Sequence, residues 1–288
     1  DAIFEDIDFK KIVFNGLLFE NAKFINCILD DIMMNECDFS NAKFINSSCK
    51  SIMSNDCKFE NAIFDNSSLN DAIIVYGIFI NVVFKDCDLF KAVFKSCNMN
   101  GIRLMQNKIE KTFFDSCDLS NQNFSNFDFT MVQAQKCNFT NSIFDGCNIV
   151  QTFFNGSNMT GCSFKNTNGY NAYLIETIID EAIFEHSNFE KSFFNQALGI
   201  KTKFKDCNFI MSNFSESKIK ASEFVNCDFS FSDFSFSDMS ANKYTDSSFF
   251  RSIMIATLKE QTIFNRCNTM MIKDEDKELI EARMWGLK

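Results

Sequence analysis

Proline is absent from all 288 residues, and tryptophan and histidine occur once each. A chain without proline offers a backbone N–H at every residue, which suits an architecture in which nearly every N–H enters a hydrogen-bond ladder. A single histidine, His186, excludes any dyad built on a second imidazole, and the nearby Glu181 and Glu185 are carboxylates that any solvated face carries. No glycine-rich phosphate loop, HExxH helix or CxxC pair occurs. No apolar run approaches the ~18 residues of a transmembrane helix, and no signal-peptide pattern precedes the first ordered segment. Basic excess is missing too: 28 Lys and Arg stand against 38 Asp and Glu, a net charge of −10. That balance argues against direct contact with nucleic acid and against adsorption on anionic membranes. The expectation is a chain with no enzymatic activity, no cofactor and no metal.

What the chain has is a period. From Phe4 to Phe264 every fifth residue is apolar, usually Phe and otherwise Leu, Ile, Met or Tyr, save for Cys49, Ser54, Ala134, Gly169, Gly199 and Lys259. Two places earlier stands a small residue: Ala22, Cys27, Cys37, Ala42, Ser47, Cys57, Ala62. Residues two apart on an extended chain point the same way, so both face inward. Neither a strand of period two nor a helix of period 3.6 accommodates a period of five, so the chain must turn once per unit. The turn falls just after the central residue, where Asn21, Asn26, Asp31, Asn41, Asn46, Asn61 and Asn66 collect. A chain that bends at each step coils, stacks on itself and buries a continuous core.

Thirteen cysteines would suit a disulfide or zinc framework, but their positions follow the repeat. All except Cys49 lie at the small inward site, so they read as small buried hydrophobes and not as metal ligands. Free thiols at this density point to a reducing, cytoplasmic compartment. The register is strained over residues 101–135, where Asn107, Gln122 and Phe127 take small sites, and Gly169 and Gly199 at central sites suggest local bulges.

The five-residue unit resembles the pentapeptide-repeat family, whose units centre on Leu or Phe with Ala, Cys, Ser, Thr or Val two residues before. The resemblance covers about residues 2–268. It implies an all-β fold, a right-handed quadrilateral β-helix solenoid with twenty residues per coil and about thirteen coils, followed by a short C-terminal α-helix. The domain reading is therefore a repeat over 1–268 and a helical cap over 269–288. The repeat is already in register at Asp1, which reads as a segment of a longer polypeptide.

Outward positions must carry function. In the twenty-residue coil, one outward column reads Val13, Met33, Met53, Ile73, Val93, Phe113, Gln133, Phe153, Tyr173, Phe193 before turning polar at Asn213 and Asp233. The next column is polar: Asp8, Ile28, Ser48, Ser68, Asp88, Lys108, Asp128, Asn148. An apolar strip of that length marks a surface for a protein partner, so Val13, Met33, Met53, Ile73, Val93, Phe113, Phe153, Tyr173 and Phe193 are the candidate contact residues of a scaffold or targeting module. Further on, Phe231 and Phe236 fall at solvent-facing turns. Residues 273–288 read as a helix capped by Asp274, with Leu279, Ile280, Met284 and Trp285 on one apolar side. That side caps the last coil or, by resemblance to family members joined tail to tail, forms a homodimer. The family also implies an alternative: a DNA mimic that binds a type II topoisomerase, as quinolone-resistance members are thought to do.

Overall fold

The computed structural model describes residues 2–286. The chain folds as a parallel β-solenoid of about thirteen turns with one short C-terminal helix. It divides into two compact units, residues 1–122 with 129–139 and residues 123–128 with 140–288. Within each unit every strand pairs in parallel with the one twenty residues further on. Phe24, Phe44, Phe64 and Phe84 are successive partners in the first unit, and Phe164, Phe184, Phe204 and Phe224 in the second. Four five-residue units therefore make one coil. Strands are three residues long, such as Lys23–Ile25 and Met33–Asn35, because a corner follows two residues after each centre. The remaining sides pair through single bridges, for example Ser48 with Ser68 and Asn168 with Asn188.

Central residues and their small companions fill the interior. Ring centroids in the first unit stand 4.9, 4.5 and 5.2 Å apart along Phe24, Phe44, Phe64 and Phe84. In the second unit the steps from Phe144 through Phe164, Phe184 and Phe204 to Phe224 are 5.0, 4.7, 4.8 and 4.5 Å. The spacing between hydrogen-bonded strands thus fixes the stacking distance of the aromatic core. Rings of one coil meet edge to face instead, as Phe184 and Phe189 do at 5.3 Å and 73°.

Corners explain the choice of small residue. The residue two after each centre has positive φ, for example Asn21 at 59° and Asn26 at 53°, a region that Asn and Asp tolerate better than most side chains. Some corners close on themselves: the N–H of Ala22 donates to the carbonyl of Phe19 at 3.0 Å, and that of Ala62 to Phe59 at 2.9 Å. Others leave that N–H to the following coil. There the Cys27 N–H donates to Ser47 Oγ at 3.1 Å, the Ser47 N–H to Ser67 Oγ at 3.1 Å and the Cys37 N–H to Cys57 Sγ at 3.4 Å. The accepting side chain also donates back, Ser47 Oγ to the Phe24 carbonyl at 3.1 Å and Cys117 Sγ to the Phe94 carbonyl at 3.2 Å. Closed corners accept alanine; most open ones carry a hydroxyl, thiol or amide, Gly77 being an exception. Cysteine here is a hydrogen-bonding group as well as a small hydrophobe. Asn107 fits the same rule, accepting from the Cys87 N–H at 2.8 Å and donating to the Phe84 carbonyl at 2.9 Å.

Ser187 tests the rule in the second unit, where its Oγ accepts from the Thr167 N–H at 2.9 Å and donates to the Phe164 carbonyl at 2.8 Å. Ser187→Ala strands a buried donor and is expected to cost about 1–3 kcal/mol, whereas Ser187→Cys stays within about 1 kcal/mol of wild type. Urea unfolding midpoints measure both; equal losses for Ala and Cys would refute the assignment.

Neither Gly169 nor Gly199 forms a bulge. Asn168 keeps its bridge to Asn188, and Gly199 lies within Leu198–Ile200 in regular register with Lys218–Lys220. A Cβ on Gly169 would lie 2.4 Å from the Phe189 ring, so the missing side chain is space taken by the next aromatic in the stack.

Candidate interaction surface

In the first unit, strand register sets Val13, Met33, Met53, Ile73, Val93, Phe113 and Gln133 in one outward column, each paired with the next. Val13 is 58 % exposed and Met33, Met53 and Ile73 are 45 % exposed each, while Val93 and Phe113 are half-buried. A groove beside this column is lined by Met33, Asn35, Met53, Ser54, Asn55, Ile73 and Val75. Ser54 is a central residue without a large side chain, so the surface groove forms where the core column is thinnest.

Phe153, Tyr173 and Phe193 belong to the second unit, bridged one to the next. Their half-buried rings stack at 4.4 and 4.7 Å with interplanar angles of 9° and 6°. The candidate residues therefore form two sections, one in each unit, and Asn213 and Asp233 continue the second as polar residues. The polar column separates the same way: Asp8, Ile28, Ser48, Ser68, Asp88 and Lys108 in the first unit, and Asp128, Asn148, Asn168 and Asn188 in the second. Hydrogen bonds between side-chain amides run along the latter, Asn168 Nδ2 donating to Asn148 Oδ1 at 3.1 Å and Asn208 Nδ2 to Asn188 Oδ1 at 3.0 Å.

The C-terminal helix α1 spans Lys277–Gly286, starting later than the expected Lys273. Its cap is Asp276 and not Asp274. Asp276 Oδ1 accepts from the Leu279 N–H at 3.0 Å, and Lys273 Nζ lies 2.8 Å from its other oxygen. The hydrogen bond from Lys273, and then that from Leu279, hold the carboxyl below the usual range. Repeat geometry persists as far as Lys273, which bridges Ile253, so the chain cannot enter a helix at Asp274; that side chain faces Lys259 at 3.6 Å. Leu279 is exposed and Ile280 half-buried. The side chains of Met284 and Trp285 lie outside the described residues.

His186 sits at a corner with φ 51°. Its Nδ1 is 3.4 Å from Asp206 and its Nε2 3.7 Å from Glu185, which also pairs with Lys205 at 3.2 Å. This is a surface network of charges, and nothing in it points to catalysis. Among the described residues no group of three or more His, Cys, Asp or Glu could hold a metal ion, and no helix is long and apolar enough to cross a membrane.

Comparison with known proteins agrees with the period. A family model described as pentapeptide repeats matches eight copies within residues 2–41 and 154–185. No curated protein sequence matches the chain. Among solved structures it is similar to HetL, a pentapeptide repeat protein involved in heterocyst differentiation regulation from the cyanobacterium Nostoc sp. strain PCC 7120, at 8 % identity over 92 % of this chain and 88 % of that one, with a TM-score of 0.21. It is also similar to QnrB1, a plasmid-mediated fluoroquinolone resistance protein, at 15 % identity over 96 % of each chain and a TM-score of 0.27. The A-module of the Azotobacter vinelandii mannuronan C-5 epimerase AlgE4 matches at 10 % identity over 92 % of this chain and 91 % of that one, with a TM-score of 0.29.

Proposed function

We propose that this member of the pentapeptide-repeat family is a non-catalytic scaffold or targeting module that binds a protein partner through its outward apolar column. The observation that carries this reading is the row Val13, Met33, Met53 and Ile73, exposed side by side at successive coils. Flat sheet faces favour β-branched and aromatic residues, but a contiguous exposed row of Met and Ile is what partner surfaces carry. Thirteen cysteines, twelve of them buried at repeat sites, suit a reducing, cytoplasmic setting. In this reading residues 269–288 shield the last coil or join a second copy through Leu279, Ile280, Met284 and Trp285.

Ile73→Lys with Val93→Lys tests it. The double substitution leaves Ile74 and Phe94, the buried neighbours, in place, so folding is expected to be near normal. It places two charges within the contact, where an unpaired charge is costly, and association should weaken at least tenfold by pull-down or sedimentation. Association at wild-type strength, lost instead on substitution of acidic faces, would favour the second reading, a DNA mimic binding a type II topoisomerase. The net charge of −10 suits that reading. Against it, acids pair with cations along the coils, as Asp65 with Lys85 at 3.0 Å and Asp246 with Arg266 at 2.6 Å, which dilutes the negative field.

A further inference from the structure

Met211, Phe231 and Met271 in the second unit carry two costs at once. Each is a corner residue of positive φ, at 58°, 62° and 61°, where a bulky side chain is strained and Asn or Asp is not. Each is also exposed, by 52 %, 44 % and 63 %. They share one column at twenty-residue steps, which Arg251 at φ 55° completes. Backbone bonds hold the column: the Met211 N–H to the Ser230 carbonyl at 3.0 Å, Phe231 to Phe250 at 2.9 Å and Arg251 to Met270 at 3.1 Å. Phe231 meets Phe250 edge-on at 5.8 Å, and exposed Met270 lies beside them. The Arg251 guanidinium sits 5.3 Å over the Phe250 ring with Nε 3.4 Å from Met271 Sδ. Among the described residues its side-chain partners are the Phe250 ring and Met271 Sδ, neither of them a carboxylate.

Corners take positive φ throughout the coils, at Lys91, Glu176 and Gln196 as well. What marks this column is the apolar surface that Met211, Phe231 and Met271 leave in water, and exposed apolar surface of that kind indicates a contact. Covering that surface would bury the cation of Arg251, and a buried charge without a partner is costly. Whatever covers the edge must therefore bring a carboxylate, for which a guanidinium is well suited. We propose that the column Met211, Phe231, Arg251 and Met271 is a docking edge for an acidic amphipathic segment of a partner protein, whose apolar side chains cover the two methionines and Phe231 while a carboxylate pairs with Arg251. This edge is distinct from the Val13–Phe113 column and stands without it.

The test uses the full chain and three labelled synthetic peptides, one alternating Leu and Glu, one alternating Leu and Lys, and one alternating Ser and Glu, with binding read by fluorescence anisotropy. Wild type should bind the Leu–Glu peptide at least tenfold more tightly than either other peptide. Phe231→Asn should weaken that binding at least tenfold and raise the melting temperature by about 2 °C, because Asn relieves the corner strain. Arg251→Glu should reverse the preference toward the Leu–Lys peptide. Equal affinity for all three peptides, or no binding, overturns the proposal. So does a lower melting temperature for Phe231→Asn, which would make Phe231 a structural partner of Phe250. Concentration-dependent self-association abolished by Phe231→Asn would overturn it in favour of a second copy of this chain.

Discussion

Phe144→Ala is expected to lose about 3–5 kcal/mol of stability. Phe144 is fully buried, stacked 5.0 Å from Phe164 at 6°, 5.3 Å from Phe124, and edge-on to Phe154 at 5.7 Å. Its backbone N–H donates to the Ser163 carbonyl at 2.7 Å, so the strand cannot move inward to fill the space that the ring leaves. The cost therefore includes both the lost burial and a persistent cavity. Phe144→Leu should cost less, since leucine takes the equivalent central site at Leu174. Urea unfolding at constant m-value measures the difference. An unchanged midpoint for Phe144→Ala would show that the aromatic column does not carry the core.

Raising the pH above 9 is expected to destabilise the fold steeply. Burial pushes the Cys87 thiol up to about 11, and the Cys147 and Cys162 thiols up to about 12. In the unfolded chain these thiols ionise near pH 8.5–9. Between the two ranges the unfolded state has released protons that the folded state retains, so stability falls as pH rises. The contribution is complete below about pH 9 and is lost progressively as pH climbs through the folded values. Each thiol removes about 1.4 kcal/mol per pH unit, or about 4 kcal/mol for the three together. Serine occupies equivalent small sites at Ser67, Ser142 and Ser157, so replacing all three cysteines by Ser should lessen the loss of stability above pH 9. A triple variant as alkali-sensitive as wild type would exclude these three thiols as the cause.

The inward set was legible from the sequence because it follows from local chemistry alone. Alternation points Ala22 and Phe24 to one side, Asn26 accepts the corner conformation, and strict phase repeats the arrangement every five residues. The segregation of cysteine from alanine was present as well: Cys27, Cys37, Cys57, Cys87 and Cys97 against Ala22, Ala42, Ala62, Ala72 and Ala92. Its meaning was not legible, because it depends on whether an N–H bonds within its own corner or to a side chain twenty residues away. For the same reason Gly169 read as a bulge when it makes room for Phe189, and Asp274 read as a helix cap when pairing of Lys273 with Ile253 delays the helix to Lys277. The candidate surface divides likewise. Sequence alone determined which residues point outward in one column, since that requires only the period. Tertiary structure decided how much of Met53 or Val93 meets water, which corners need an acceptor, and that the column falls into two sections, because exposure and hydrogen bonding are set by neighbours a full coil away.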